Sequence, residues 1–221
     1  MRSDPPTSEQ QPGDEASRSV EVELKFDVDD ATPLPDWGSV PGIASIDDPE
    51  VRDLDARYLD TDDRALARAG YALRRRSGGP DAGWHIKGPR IDGGRTELQW
   101  PLGDSDPDDL TVPAPILAEL SKVTDAPLTL LARIRNTRTA YLLRSAEGGV
   151  VAEFLDDRVH ATDERAGVQR TWREWEFELG PAAPEDKAAR GAIFAAVEDA
   201  VHAVGGREAA SDSKLARTLG F

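Results

Sequence analysis

The sequence predicts a mainly β protein, built from an antiparallel sheet with a few peripheral helices. Apolar and charged residues alternate in most of its segments, as they do in strands with one buried and one polar face. Turns rich in Gly and Pro separate these segments, and apolar residues recur at helical spacing in only a few places. Because a long sheet avoids exposed edges by closing on itself, we expect a closed eight-stranded antiparallel β-barrel.

Eight segments have the character of strands. The first, residues 19–28, puts four apolar side chains on one face and three charged ones on the other, namely Val20, Val22, Leu24 and Phe26 against Glu21, Glu23 and Lys25. The other seven are residues 51–59, 71–76, 83–88, 95–102, 130–143, 149–156 and 170–179. Glycine-containing turns at residues 78–81 and 147–149 join neighbouring strands into hairpins.

Four segments are expected to be helical and to lie outside the barrel. Residues 63–69 end at Gly70, which suits a helix C-terminus because glycine accepts the left-handed conformation. Residues 115–123 are amphipathic, and an apolar stripe runs from Ile193 to Val204 at helical spacing. Residues 213–219 form a final turn or a short helix.

Composition narrows the function classes. The net charge of −15 argues against a nucleic-acid duplex as partner, because the phosphate backbone would be repelled. No apolar run is long enough to span a membrane, and the lack of cysteine suits a reducing cytoplasm. The three histidines have no zinc-ligand spacing, so a metal site would use carboxylates, which suit Mg²⁺ or Mn²⁺. Residues 1–18 are polar and rich in Pro and Ser, which predicts a disordered tail before one domain over residues 19–221.

Charged residues share one face of several predicted strands. Acids cluster on the first strand and on the last, at Glu174, Glu176 and Glu178. Bases cluster on the middle strands, at Arg74, Arg76 and Lys87. Closely spaced carboxylates repel one another unless a cation joins them, and arginine binds phosphate oxygens in a bidentate manner. Together the strands predict a phosphate-handling, metal-dependent enzyme, whereas any one of them alone fits an ordinary solvated sheet face.

These motifs and their order resemble the CYTH superfamily, the triphosphate tunnel metalloenzymes. The first strand matches the ExExK signature at Glu21, Glu23 and Lys25. Further matches follow in order at residues 58–61, 73–76, 84–89, 95–97, 136–138, 154–156, 174–178 and 213–215. The resemblance covers about residues 19–219 and implies an eight-stranded barrel around a tunnel that binds triphosphates. Since the sequence ends at Phe221, we expect no helical CHAD domain in this chain.

The resemblance also implies roles for individual residues. The metal-side acids would be Glu21, Glu23, Glu176 and Glu178, with Glu97 and Asp156 orienting the bases or holding a second metal. The phosphate-binding bases would be Lys25, Arg74, Arg76, Lys87, Arg138 and Lys214. Many members carry another base where this chain has Asn136, so Arg135 is a further candidate, and either Arg135 or Arg138 could line the tunnel. Lys25, Glu23 and Glu178 would be catalytic. Glu174 has the right parity but lies at the strand entrance, which makes it a weaker candidate.

The family's activities include inorganic, thiamine and RNA triphosphatases and adenylate cyclase. We therefore expect a Mg²⁺- or Mn²⁺-dependent hydrolase of a small triphosphate, with inorganic triphosphate as the simplest substrate and a metal-activated water as nucleophile. Thiamine triphosphate and nucleotides stay open as substrates. The alternative functions are a non-catalytic module that binds polyphosphate or a nucleotide, and an adenylate cyclase of the class IV type. No base-stacking pocket is evident, since Trp84 and Trp100 fall on the outward face.

Overall fold

The computed structural model of this protein describes residues 15–91, 94–103, 106, 108–211 and 213–221. The expected disordered tail falls mainly on residues 1–14, which lie outside the described residues. The end of that predicted tail is already part of the sheet, because the first strand begins at Ser17. Among the described residues, no helix is both long enough and apolar enough to cross a bilayer.

All strands of the described chain belong to one antiparallel sheet. They are β1 (Ser17–Glu21), β2 (Glu23–Val28), β3 (Ser45–Ile46), β4 (Glu50–Asp60), β5 (Ala72–Ser77), β6 (Gly83–Ile91), β7 (Gly94–Trp100), β8 (Thr129–Arg144), β9 (Val150–Asp163), β10 (Val168–Leu179) and β11 (Arg207–Glu208). The hydrogen-bonded order is β1-β7-β6-β5-β4-β8-β9-β10-β2-β11, and β3 pairs with β8.

The expected closed barrel of eight strands is wrong in two respects, because the described sheet is open and has eleven strands. The first predicted strand is interrupted at Val22, so that β1 pairs with β7 while β2 pairs with β10. The two-residue strands β3 and β11 account for the rest of the difference. Since one residue separates the edge strand β1 from β2, which is next to last at the other side of the sheet, the two sides lie close together and the sheet curves around a central space.

The outer face of the sheet is apolar where helices cover it. Helix α3 (Lys187–Ala203) buries Ile193, Val197 and Val201 against aromatic side chains of the sheet. Its N-terminus is capped by the Asp186 carboxylate, which accepts a hydrogen bond from the Ala189 amide at 2.7 Å. The packed sheet residues include Phe26, Phe154, Trp175 and Phe177. Burial of this face leaves the opposite, charged face turned inward.

Two short helices cover a second apolar part of the outer face. Helix α1 (Ala65–Arg68) contributes the buried Leu66, and helix α2 (Ala114–Leu120) contributes Ile116 and Leu120. They pack against the tryptophans at positions 84 and 100, whose outward direction was expected from the alternation. The last helix, α4 (Lys214–Leu219), differs from the others because it packs inside the curve of the sheet. Its Leu215 and Leu219 contact a cluster that includes Tyr58, Ile134, Val159 and Trp172.

Candidate active site

A cavity of about 100 Å³ lies inside the curved sheet, and ionisable side chains dominate its wall. Every strand from β4 to β8, together with β1, β2 and β10, contributes to it, and α4 lies at one end. The acids that line it are Glu21, Glu23, Asp81, Glu176 and Glu178. The bases are Lys25, Arg74, Arg76, Lys87, Arg95, Arg138 and Lys214. A second cavity of about 250 Å³ adjoins the first and shares Glu21, Arg138 and Glu178 with it.

Strand register brings together residues that are far apart in sequence. In the β2–β10 pair, Glu23 lies opposite Glu178 and Lys25 lies opposite Glu176. Glu21 belongs to β1 instead, where it pairs with Arg95 of β7. The interruption at Val22 therefore places Glu21 on the edge strand β1 and Glu23 on β2, near the other end of the strand order, and both face the cavity.

Glu176 is the centre of one ionic network. Its carboxylate pairs with Lys25, lies 2.7 Å from Arg138 Nη2 and lies 2.9 Å from Lys214 Nζ. Burial alone would raise the pKa of Glu176, but the charges of Lys214, Lys25 and Arg138 hold it well below its usual value. Glu176 is therefore ionised, and it organises three of the predicted phosphate-binding bases.

A compact group of carboxylates adjoins this network. Single oxygens of Asp157, Glu174 and Glu176 all lie within 4.8 Å of one another, and the three residues are buried. Hard oxygen ligands of this kind could hold a metal ion. The ammonium of Lys214 lies among them, 2.5 Å from Glu174, 2.8 Å from Asp157 and 2.9 Å from Glu176. A metal at this point would have to compete with Lys214.

Glu178 has the opposite environment to Glu176. Burial and the neighbouring negative charges of Glu21, Glu176 and Glu23 raise the pKa of Glu178 to about 7. None of the ion pairs found among the described residues involves Glu178. A divalent cation beside Glu178 would relieve this repulsion, so the donor set fits Mg²⁺ or Mn²⁺.

The bases crowd one another on the facing wall. Burial, followed by the positive charges of Arg74 and Arg138, lowers the pKa of Arg76 to about 9. Within the described part of the chain, the buried Nε atoms of Arg74 and Arg76 have no hydrogen-bond acceptor. Buried donors without acceptors are costly, and an anion in the cavity would supply the missing oxygens.

Glu97 and its partners position the bases of the middle strands. Its carboxylate lies 2.7 Å from His85 Nδ1 and accepts a hydrogen bond from Arg74 Nη2 at 3.2 Å. Lys87 donates to both oxygens of Glu21, at 2.6 and 2.8 Å. Glu97 lines the adjoining cavity rather than the central one. Its contacts are those of an acid that orients bases, and its role as a ligand of a second metal stays a prediction.

Most of the predicted site residues meet in the central cavity. They are Glu21, Glu23, Lys25, Arg74, Arg76, Lys87, Arg138, Glu176, Glu178 and Lys214. Two others do not. Arg135 is exposed on the outer face, so Arg138 and not Arg135 lines the cavity. Asp156 also faces outward, where it pairs with Arg173 at 2.8 Å, and this corrects its expected metal-side position.

The inward acid of β9 that lies beside Arg138 is Asp157, which the sequence did not single out. It accepts hydrogen bonds from Arg138 Nε at 2.8 Å and Nη2 at 2.7 Å, and from Asn136 Nδ2 at 2.9 Å. Asn136 thus faces the cavity, as was expected of a base at this position. Its side chain donates a hydrogen bond to Asp157, the acid that orients Arg138. Glu174, the weaker candidate in the sequence, is buried beside Asp157. Asp81 and His85 are further cavity residues that were not among the predicted site residues, although His85 lies within the motif at residues 84–89.

The chain belongs to the CYTH domain family, whose model matches residues 19–199. Family members bind triphosphates or nucleotides, act as triphosphatases or cyclases, and depend on a metal ion. The matched range contains every inward-facing base and acid described above except Lys214.

Two Mycobacterium tuberculosis relatives, named Uncharacterized protein MT2285 (strain CDC 1551 / Oshkosh) and Uncharacterized protein Rv2226 (strain H37Rv), are each 36% identical to this chain over 215 residues. The alignment covers 92% of this chain and 41% of each relative. The chain thus spans about two fifths of the length of these relatives.

Solved structures share the fold at low sequence identity. A Bacillus halodurans protein classed provisionally as an adenylate cyclase has a TM-score of 0.57 at 16% identity, covering 90% of this chain and 97% of the other. HpAC1 from Hippeastrum, for which a dominant triphosphatase activity is described, has a TM-score of 0.52 at 15% identity, covering 90% and 95%. PH1819 of Pyrococcus horikoshii OT3 has a TM-score of 0.51 at 18% identity, covering 90% and 98%.

Proposed function

We propose that this chain is a metal-dependent hydrolase of a small triphosphate, with inorganic triphosphate as its simplest substrate. The observation that carries the proposal is that one cavity contains both a crowded group of acids and a crowded group of bases. Glu178 lies among acids and Arg76 lies beside Arg74 and Arg138, and in each case burial and the neighbouring charges make the charged form costly in free energy. A bound cation and a bound phosphate chain would remove both costs at once.

The bases of the cavity wall provide the substrate site. Arg74, Arg76 and Arg138 offer planar guanidinium groups that suit phosphate oxygens, and the ammonium groups of Lys25, Lys87 and Lys214 add point charges. Because the acids Glu97, Glu176 and Asp157 orient these bases before a ligand arrives, the site is organised in advance. Developing negative charge on the transferred phosphoryl group would be stabilised chiefly by Lys25 and Arg138.

The metal would be held by Glu21, Glu23 and Glu178, with Glu176 close by. When bound, Mg²⁺ or Mn²⁺ supplies a Lewis acid that polarises phosphate oxygens and acidifies a water molecule. Glu23 and Glu178 lie opposite one another on β2 and β10, and the charge of Glu23 is offset by Lys25 at 2.9 Å. Lys25 therefore links the metal side of the cavity to the phosphate side.

The experiment is a phosphate-release assay with inorganic triphosphate, thiamine triphosphate and ATP, each with Mg²⁺, with Mn²⁺ and with EDTA. We expect hydrolysis of at least one triphosphate that needs a divalent cation. Binding without phosphate release would favour the non-catalytic module, and release of pyrophosphate with a cyclic product from ATP would favour a cyclase. Glu178→Gln should abolish turnover, and Glu185→Gln, at an exposed position before α3, serves as the matched control.

A further inference from the structure

Asp81 reaches into the cavity from the turn between β5 and β6. Its carboxylate forms an ion pair with Arg76 Nη2. The Arg76 side chain is 7% exposed, whereas that of Asp81 is 44% exposed, so the arginine is buried in the cavity wall and the aspartate is in contact with solvent. Asp81 lines both the central cavity and the adjoining one. It therefore stands where the two cavities meet.

The turn that carries Asp81 is held firmly. Gly78 and Gly79 adopt positive φ values of 78° and 74°, and a Cβ at Gly78 would lie 1.9 Å from the carbonyl oxygen of Asp53 on β4. The carbonyl oxygen of Asp81 accepts a hydrogen bond from Gln99 Nε2 at 3.3 Å and lies 3.0 Å from His85 Nε2. Three neighbouring strands thus fix the backbone so that the carboxylate reaches Arg76.

Arg76 needs an anion. The positive charges of Arg74, two residues away on β5, and of Arg138 on β8 act on it, and its Nε has no acceptor among the residues described. A carboxylate and a phosphate group compete for the same guanidinium edge, because both present paired oxygens at a similar spacing. The carboxylate of Asp81 fills this role.

We propose that Asp81 is an internal competitor for phosphate, which occupies the Arg76 subsite until a triphosphate displaces it and so sets the affinity of the cavity. This inference rests on the proposed function of the cavity. Displacement is feasible because the half-exposed Asp81 can be hydrated at the mouth, whereas the buried Arg76 exchanges one anion for another. Asp81 would then act on substrate affinity without contacting the reacting atoms.

The test is titration calorimetry of the full chain with inorganic triphosphate in EDTA, so that no metal-dependent turnover occurs. Asp81→Asn and Asp81→Ser should each bind about tenfold more tightly than the parent protein. The matched control is Asp55→Asn, which removes the 2.5 Å ion pair with Arg133 on the outer face and should leave the Kd unchanged. In an Arg76→Ala background, Asp81→Asn should have no further effect, because the contested subsite is gone.

Several results would overturn the inference. If the parent protein binds triphosphate and both folded Asp81 variants bind it equally or more weakly, Asp81 supports the site rather than competing for it. The inference is also overturned if Asp81→Asn tightens binding equally with and without Arg76, because the substitution would then act through the overall charge of the cavity and not through the Arg76 subsite. A parent protein that binds no triphosphate, with or without Mg²⁺, would overturn the proposed function itself and this inference with it.

Discussion

Glu23 and Glu178 lie directly opposite one another across the β2–β10 pair, with both carboxylates facing the cavity. Like charges opposite one another destabilise a sheet, and Lys25 lies on the Glu23 side of the pair. Burial, and then the negative charges of Glu21, Glu176 and Glu23, raise the pKa of Glu178 to about 7, against 4.5 for an ordinary glutamate. Repulsion between these carboxylates thus lowers the stability of the folded protein, and a bound cation would remove it.

This cost should appear in the pH dependence of stability. Because the folded-state pKa of Glu178 is raised, the folded protein loses stability as pH rises from about 4.5 to 7, and the full loss persists above that range. In EDTA at pH 8, Glu178→Gln should therefore raise the free energy of unfolding by about 2 kcal/mol, with little gain at pH 5. Thermal melts followed by circular dichroism measure this, with Glu185→Gln as control. A lower melting temperature for Glu178→Gln at pH 8 would contradict the account.

Metal binding should release protons near neutral pH. A group with a pKa of about 7 is partly protonated at pH 7, and a metal binds its ionised form. The affinity for Mn²⁺ should thus rise between pH 6 and 8, and calorimetry in buffers of different ionisation enthalpy should detect the released protons. Affinity that does not vary over this pH range would place the metal away from Glu178.

Arg138 and Arg135 offer a matched pair of substitutions. Arg138→Lys keeps a positive charge beside Asp157 and Glu176 but loses the bidentate guanidinium, so we expect triphosphate binding to weaken about tenfold. Arg135→Lys makes the same change on the exposed outer face and should leave the Kd as it is. Equal effects of the two substitutions in calorimetry would mean that the phosphate site lies elsewhere.

Lys214 should stabilise the folded protein as well as bind substrate. Lys214→Gln leaves Asp157, Glu174 and Glu176 with less compensating charge, and breaking a buried ion pair costs about 3 kcal/mol. The melting temperature should fall, and Mn²⁺ should raise it by more than in the parent protein, because the carboxylate group is then free to take a cation. Lys187→Gln, at the exposed start of α3, is the control. An equal Mn²⁺ effect in all three proteins would exclude a cation site at these carboxylates.

The alternation of the strands predicted most of the cavity wall, because the two-residue period of a strand is a local property. It placed Arg74, Arg76 and Lys87 inward without any knowledge of strand order. The prediction of which side chains face inward failed where apolar and polar residues do not alternate. In the run from Phe154 to Asp157, two apolar residues precede two acids, and only packing of Phe154 on Trp175 decides that Asp156 faces outward.

Long-range pairing was the part that the sequence could not supply. The alternation from Val20 to Phe26 reads as one continuous strand, yet its two halves pair with different partners, β7 and β10. That choice depends on where β7 ends and where β10 begins, which are set by the whole sheet. The role of Asn136 is similar, since its partner Asp157 lies on another strand.

The most direct test of the account is a crystal structure of the protein with Mn²⁺ and a non-hydrolysable triphosphate analogue, with the metal located by its anomalous scattering. We expect a manganese peak coordinated by Glu178 with Glu21 or Glu23, and the phosphate chain on Arg76 and Arg138. Metal and analogue bound outside the curved sheet, for example beside the exposed Arg135, would contradict it.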